Sequence, residues 1–170
     1  MNARLILCSV PSTAQEGMAQ FYATLLGDLV HSRAEQGRSS YGWACSGVRL
    51  TVNQPQHEME KMMLHFRVDD LEDALRQLQE AGGLHVGGPY DVPVSPADLD
   101  ALRSNYEQLA LGSREEVEEN LGRGAVVRDP EGNQIGLLQL RPFAERFFEA
   151  GSMTRHERLQ HAMAMRDYGS

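Results

Sequence analysis

Hydrophobic residues recur at two spacings along the chain, and these spacings predict alternating strands and helices. The apolar run over residues 4–10 predicts a strand, and Pro11-Ser12-Thr13 then opens a helix. The helix has apolar positions three and four residues apart, at Met18, Phe21, Tyr22 and Leu25. Residues 41–46 and 48–53 predict two more strands around a turn. The first part of the chain is therefore predicted as a strand, a helix and further strands.

The same order returns after a polar connection. Residues 62–68 predict a strand, and a helix with apolar positions follows until Gly82-Gly83. The turn glycines Gly47 and Gly132, however, lie further apart than the helix-ending glycines Gly27 and Gly83, by about 27 residues. The pattern therefore predicts an internal repeat whose second unit carries an insertion.

The insertion is predicted as two short helices over residues 95–122. Ser95 with Asp98, and Ser113 with Glu116, have the spacing of helix N-caps, and a glycine follows each segment. The longer helix has one apolar face, which must be buried against the cavity mouth, the tail or a second subunit; it comprises Leu99, Leu102, Tyr106 and Leu109. In the acidic second helix only Val117 and Leu121 are predicted to turn inward. Residues 142–170 are predicted to form a helical C-terminal tail broken near Gly151-Ser152.

A tight turn joins the last two strands of the repeat. It comprises Asp129-Pro130-Glu131-Gly132-Asn133, in which proline presets φ and glycine or asparagine accepts a left-handed backbone. The strand after the turn contains Gly136, a weak choice in mid-strand because it has no side chain to pack. Gly136 therefore raises the question of which side chain is missing there.

Together the repeat and three motifs resemble the glyoxalase / bleomycin-resistance / extradiol-dioxygenase superfamily, the vicinal oxygen chelate fold. The motifs are Phe21-Tyr22-Ala23-Thr24-Leu25-Leu26-Gly27, Val68-Asp69-Asp70-Leu71 and the closing Asp129–Asn133 turn. The resemblance implies an α+β domain of paired βαβββ units over residues 1–141, with units at about 4–61 and 62–141. It also implies curved sheets that enclose a cavity, often across a dimer interface, so a homodimer is expected.

The resemblance also implies four strand positions where metal-using members supply His, Glu or Gln. Carried over by spacing, these positions are Leu7, Thr51, Met63 and Gly136. They are not a competent set, because divalent metals of this family need imidazole nitrogen and carboxylate oxygen. A shift of two positions in the second unit would bring in His65, which is one ligand only. We therefore expect no metal and no other cofactor.

Strand alternation assigns a set of mainly polar residues to the cavity-forming face of the sheets. They are Arg49, Thr51, Asn53, Met63, His65, Arg67, Gln134 and Gly136. Arg49 and Arg67 are predicted to orient an anionic group such as a carboxylate, phosphate or phenolate, and His65 to hydrogen-bond it. A merely solvated sheet face would show the same pattern. Trp43 is either a stacking wall for a planar ligand or a core residue, since strand parity does not decide between these.

Composition narrows the partners and the location. A formal charge of −8 and a pI near 5.2 oppose binding to nucleic acid or to an anionic membrane by charge. The apolar run at the start is too short to span a bilayer and lacks a signal-peptide pattern, so a cytoplasmic location is expected. Cys8 and Cys45 form neither a disulfide framework nor a metal spacing.

These observations favour a metal-independent protein that sequesters or carries a small anionic or planar ligand. Within the superfamily this function is similar to that of the bleomycin-resistance branch. One alternative is an enzyme of the superfamily, a lyase, isomerase or dioxygenase, that uses relocated metal ligands or acid–base chemistry through His65. Another alternative is a protein-interaction or assembly module, which the added helices suggest.

Overall fold

The computed structural model describes residues 1–27, 31–35, 38–45, 47–55, 58–109 and 111–152. Its elements in chain order are β1 (Ala3–Pro11), α1 (Gln15–Leu26), β2 (His31–Glu35), β3 (Arg38–Cys45), β4 (Val48–Asn53), β5 (Met63–Val68), α2 (Leu71–Glu80), β6 (Leu84–Pro93), α3 (Pro96–Ser104), β7 (Asn120–Arg128), β8 (Gln134–Leu140) and α4 (Pro142–Ser152). This order confirms an α+β fold with two βαβββ units, an added helix within the second and a C-terminal helix.

The first compact unit comprises Leu7–Met63. Its strands pair in the order β2-β3-β4-β1, with β1 parallel to β4 and the other pairs antiparallel. Val10, Trp43 and Val52 form its buried core, and α1 covers them with Met18 and other apolar residues. The apolar residues that alternate along the strands therefore pack against those spaced three and four apart in α1, on one face of the sheet.

The second compact unit comprises Leu64–Ala150 together with Met1–Ile6. Its strands pair in the order β5-β8-β7-β6, with β5 parallel to β8. Helix α2 begins at Asp70, whose carboxylate accepts a hydrogen bond from the backbone N–H of Asp73 at 2.8 Å. Its apolar side packs on one face of these strands, in a core of Val68, Leu71, Ala74, Leu75, Ala125, Val127 and Leu137.

The turn between β7 and β8 has the predicted chemistry. The Asp129 carboxylate accepts hydrogen bonds from the backbone N–H groups of Glu131 and Asn133, at 3.0 and 2.8 Å. The side-chain amide of Asn133 donates to the same carboxylate at 2.8 Å, and these hydrogen bonds lower the pKa of Asp129. Gly132 has φ of 88°, the left-handed conformation that favours glycine. This network sets the register in which β8 returns beside β7.

The first half of the insertion begins with the predicted helix, but α3 ends at Ser104, before the predicted stop at Gly112, and residues 106–109 form turns. Ser95 caps α3, because its hydroxyl oxygen accepts a hydrogen bond from the backbone N–H of Asp98 at 3.2 Å. The apolar face of this segment enters a separate hydrophobic cluster with α4. The buried members of this cluster, called here the α3–α4 core, are Leu102, Leu111, Val117, Phe143 and Ala144. Three partners were possible for that apolar face, and in the structure the face packs against the C-terminal tail.

The prediction of a second helix in the insertion is wrong. The chain forms only a turn at residues 114–116 and enters β7 at Asn120. The expected capping contact exists, since the backbone N–H of Ser113 donates to the Glu116 carboxylate at 3.0 Å. Too few residues separate that cap from β7 for a helix of useful length. Gly122 lies inside β7 rather than after a helix, whereas Val117 is buried as predicted.

Helix α4 is described through Ser152, the position near which the break in the tail was predicted, so that break stays a prediction. The predicted tail beyond that point, residues 153–170, lies outside the described residues. Among the helices in the described ranges, none combines the length and apolar character that crossing a bilayer requires.

Candidate functional site

The candidate site lies on the face of the second unit's strands opposite α2, called here the open face. Residues that pair side by side on neighbouring strands share a face. One row across β5, β8, β7 and β6 comprises His65, Gly136, Val126 and Gly87. The next row comprises Arg67, Leu138, Gly124 and Tyr90. The structure therefore brings His65, Arg67 and Gly136 together, as the sequence predicted.

The imidazole of His65 occupies the space that a side chain at Gly136 would need. A Cβ built on Gly136 would overlap Nδ1 of His65 and would lie 3.0 Å from its Cε1 and 3.1 Å from its Cγ. Overlap of this kind cannot be relieved by a small shift of a ring packed on the sheet. The missing side chain at Gly136 is thus explained by the neighbouring ring, which lies over the glycine.

Burial lowers the pKa of His65 below its ordinary value, because desolvation disfavours the imidazolium. At neutral pH the ring is therefore uncharged. A neutral imidazole has one nitrogen that donates a hydrogen bond and one that accepts, so it can hold a polar ligand group without adding charge.

We expect His65 to titrate below the ordinary histidine pKa of about 6.5 in the folded protein. Between the two pKa values the unfolded chain binds a proton that the folded chain does not. Stability therefore falls as the pH is lowered through that window, and His65 adds no further loss below its folded pKa. NMR of the ring protons measures the pKa, and urea unfolding at several pH values measures the stability. His65→Gln should remove this part of the pH dependence; an identical pH profile in the variant would contradict the assignment.

Tyr90 lies over Gly124 in a similar way. A Cβ on Gly124 would lie 3.1 Å from Cε2 of Tyr90, 3.0 Å from Cγ2 of Val92 and 3.3 Å from Cδ2 of Leu138. Tyr90 is 47% exposed, and partial burial raises the pKa of its hydroxyl, which stays protonated at neutral pH. Two glycines therefore let two rings and aliphatic side chains line this face, and the polar groups of His65 and Tyr90 are uncharged at neutral pH.

Arg67 is held by two carboxylates. Its Nε donates to Oε1 of Glu145 on α4 at 2.6 Å, and its Nη1 pairs with Asp69. The hydrogen bond with Glu145 is the main cause that raises the pKa of Arg67. A groove of about 220 Å³ adjoins this cluster and is lined by Asn2, Arg4, Arg67, Glu145 and Glu149. Sequence reasoning missed Glu145, because this residue lies in the tail, 78 positions from Arg67.

The other predicted site residues lie on the strand faces that alternation assigned to them, but outside the two rows that contain His65 and Arg67. Arg49 and Thr51 pair with Leu7 and Ser9 of β1, on the face of the first unit's sheet opposite α1. Asn53 ends the same strand. Met63 is half-buried at the start of β5, and Gln134 is exposed at the start of β8. Ligand contact by these five residues stays a prediction.

The prediction that Trp43 contacts the ligand is wrong. Its side chain is 1% exposed in the first unit's core, and its ring centre lies 5.7 Å from that of Tyr22 on α1. Pairing of Trp43 with Leu50 places the indole on the α1 side of the sheet, away from Thr51. The core alternative is therefore the correct one, because a residue enclosed between helix and sheet presents no face to a ligand.

The four positions that the resemblance implies for a metal do not fit a divalent cation. Leu7 and Gly136 have no ligating side-chain atom, Thr51 has a hydroxyl and Met63 a thioether. A side chain at position 136 would also meet the ring of His65. Within the residues that the structure describes, no group of three His, Cys, Asp or Glu side chains could hold a metal ion.

A model of the glyoxalase-like domain family matches residues 9–94, which are half of the chain. The chain belongs to this family. The match runs from the end of β1 through β6 and thus includes His65, Arg67 and Tyr90. The resemblance to the glyoxalase / bleomycin-resistance / dioxygenase superfamily is thereby confirmed. No curated protein sequence gives a significant match to the chain.

Several solved structures are similar to this glyoxalase-like chain. A hypothetical protein from Bacillus halodurans is 12% identical, with a TM-score of 0.52 over 82% of this chain and 95% of its own. A glyoxalase/bleomycin resistance protein/dioxygenase superfamily member from Vibrio splendidus is 11% identical, with a TM-score of 0.49 over 82% and 99%. An antibiotic binding protein from a Streptomyces species is 24% identical, with a TM-score of 0.28 over 81% and 95%. At these identities the Bacillus protein supports the fold alone.

Proposed function

We propose that this glyoxalase-like protein binds a small planar molecule on the open face of its second unit and releases it unchanged. The binding needs no metal. The observation that carries the proposal is the ring of His65 lying in the space above Gly136, where the resemblance implies a metal ligand. A site built this way has an uncharged ring instead of a carboxylate, and it can hold a ligand by packing and hydrogen bonding.

The surroundings of His65 support a planar ligand. Tyr90 is half exposed over Gly124, and Val126 is partly exposed beside Gly136, so rings and aliphatic groups are available for stacking. The protonated hydroxyl of Tyr90 and the neutral imidazole of His65 supply hydrogen bonds at separate places on this surface. Few polar groups on an apolar surface are typical of sites that orient a small molecule.

Acid–base catalysis through His65 is the second candidate function. Its lowered pKa makes the imidazole a free base at neutral pH, which is the state that a general base requires. Nδ1 is the ring atom nearest to the position of a Cβ on Gly136, so this candidate requires that a substrate reach Nε2. Recovery of a bound molecule in altered form after incubation would favour this candidate over simple binding.

We expect protein purified from its own host to retain a small organic molecule and no stoichiometric divalent metal. Native mass spectrometry measures bound ligand, metal and the number of chains in one experiment, and it tests the expected homodimer. Tyr90→Ala should lower the affinity for the retained molecule about tenfold, because it removes a stacking surface. Phe21→Ala is the matched control, since it removes an aromatic ring that is 60% exposed on α1 of the first unit. Equal affinity in wild type and Tyr90→Ala, or one metal ion per chain, would contradict the proposal.

A further inference from the structure

We infer that Glu145 and Asp69 select the ligand by its charge. Because they neutralise Arg67, the open face accepts uncharged planar molecules and excludes anions. The inference rests on the proposed function and makes it more specific. It assigns a selectivity role to Glu145, a residue of the C-terminal helix outside the matched residues 9–94.

Arg67 carries a positive charge on the open face, in the row that ends at Tyr90. Its guanidinium is bound by Glu145 through Nε and by Asp69 through Nη1. One positive and two negative groups leave this cluster with a net charge of about −1 at neutral pH. The sequence alone suggested a cationic group here, whereas the structure pairs that group with two carboxylates.

An anionic ligand would meet two costs at this cluster. To use the Nε–H donor of Arg67, it would have to displace the charge-assisted hydrogen bond with Glu145, whose nitrogen–oxygen distance is 2.6 Å. It would also be repelled by Glu145 and Asp69, both within the same ion-pair cluster. An uncharged ring that packs on the exposed part of Tyr90 avoids both costs. The difference between these two ligands is the selectivity that we infer.

Glu145 is held in place by its own helix. Phe143 and Ala144, which precede it along α4, are almost fully buried in the α3–α4 core, and Phe147, which follows it, packs against that core. The next turn of α4 adds an ion pair between Arg4 and Glu149 at 3.8 Å. Because the helix is fixed by packing, the carboxylate of Glu145 is already positioned before a ligand arrives.

The test uses two planar probes with the same ring system, 2-naphthol, which is uncharged at neutral pH, and 2-naphthoate, which is an anion. Calorimetry measures both affinities for wild type, Glu145→Gln, Asp69→Asn and the double variant. We expect wild type to prefer 2-naphthol. Each neutralised carboxylate should raise the affinity for 2-naphthoate about fivefold and leave that for 2-naphthol unchanged. Adding Arg67→Met to the double variant should abolish the gain.

Glu80→Gln is the matched control. It removes the same charge from the chain, but Glu80 lies on α2, on the other side of the sheet, where it pairs with Arg76. An equal gain in Glu80→Gln, or a gain that persists without Arg67, would overturn the inference. Equal binding of both probes by wild type, or binding of neither probe by any variant, would overturn it as well. A host molecule retained in the native mass spectrum would leave the proposed function standing in each of these cases.

Discussion

Phe143→Ala is expected to lower the free energy of unfolding by about 3–5 kcal/mol. Phe143 is 1% exposed at the centre of the α3–α4 core, where the insertion and the C-terminal helix bury each other. Its loss leaves a cavity lined by residues from both segments, which relax only partly. Urea unfolding followed by circular dichroism measures the change.

Phe21→Ala is the control for Phe143→Ala, because the ring of Phe21 is mostly exposed and its loss should cost well under about 1 kcal/mol. A similar small effect for Phe143→Ala would show that the α3–α4 core contributes little to stability. The same packing predicts the effect of excising residues 95–122. That excision removes one side of the core and the first residues of β7, so we expect it to destabilise the second unit.

Gly136→Ala is expected to lower the free energy of unfolding by about 1–3 kcal/mol, the usual cost of overpacking. The added methyl group would overlap the imidazole of His65, which has to move off the sheet. In the double variant His65→Ala/Gly136→Ala the overlap is absent. The cost of the alanine at position 136 should therefore be much smaller in the His65→Ala background, and a double-mutant cycle measures this coupling.

Gly87→Ala provides the control for that cycle. Gly87 lies in the same row of the open face, but a Cβ there meets no other atom within 4 Å. A change of less than about 0.5 kcal/mol is expected, as for substitutions that neither clash nor leave a cavity. If Gly136→Ala cost the same in both backgrounds, the ring of His65 would not be the reason for the glycine.

Much of the fold could be predicted from local signals. The repeat, the Ser95 cap and the Asp129–Asn133 turn depend on neighbours within a few residues, and the structure has each of them. The prediction of a second helix in the insertion was wrong, although its cap signature was also local and the capping contact formed. A cap initiates a helix but does not extend it, and the strand that begins at Asn120 limits the segment to a turn.

The candidate site was predictable only in part. Strand alternation correctly assigned His65, Arg67 and Gly136 to one face, because alternation is a property of the backbone. It could not assign Trp43, since each strand has two faces and the sequence does not say which one the helix covers. It also could not show that Arg67 is neutralised, because Glu145 comes from a helix distant in the chain.

The sequence by itself determined the βαβββ repeat and the residues that share each strand face. It also determined that the four implied positions lack a competent set of metal ligands. These properties follow from local periodicity and from the identity of single residues. Only the tertiary structure decided that the ring of His65 lies over Gly136, that Tyr90 lies over Gly124 and that Glu145 and Asp69 hold Arg67. Except for the contact between Arg67 and Asp69, which are two positions apart, these contacts depend on strand register and on the docking of α4, which bring together residues distant in the chain. No local pattern specifies them.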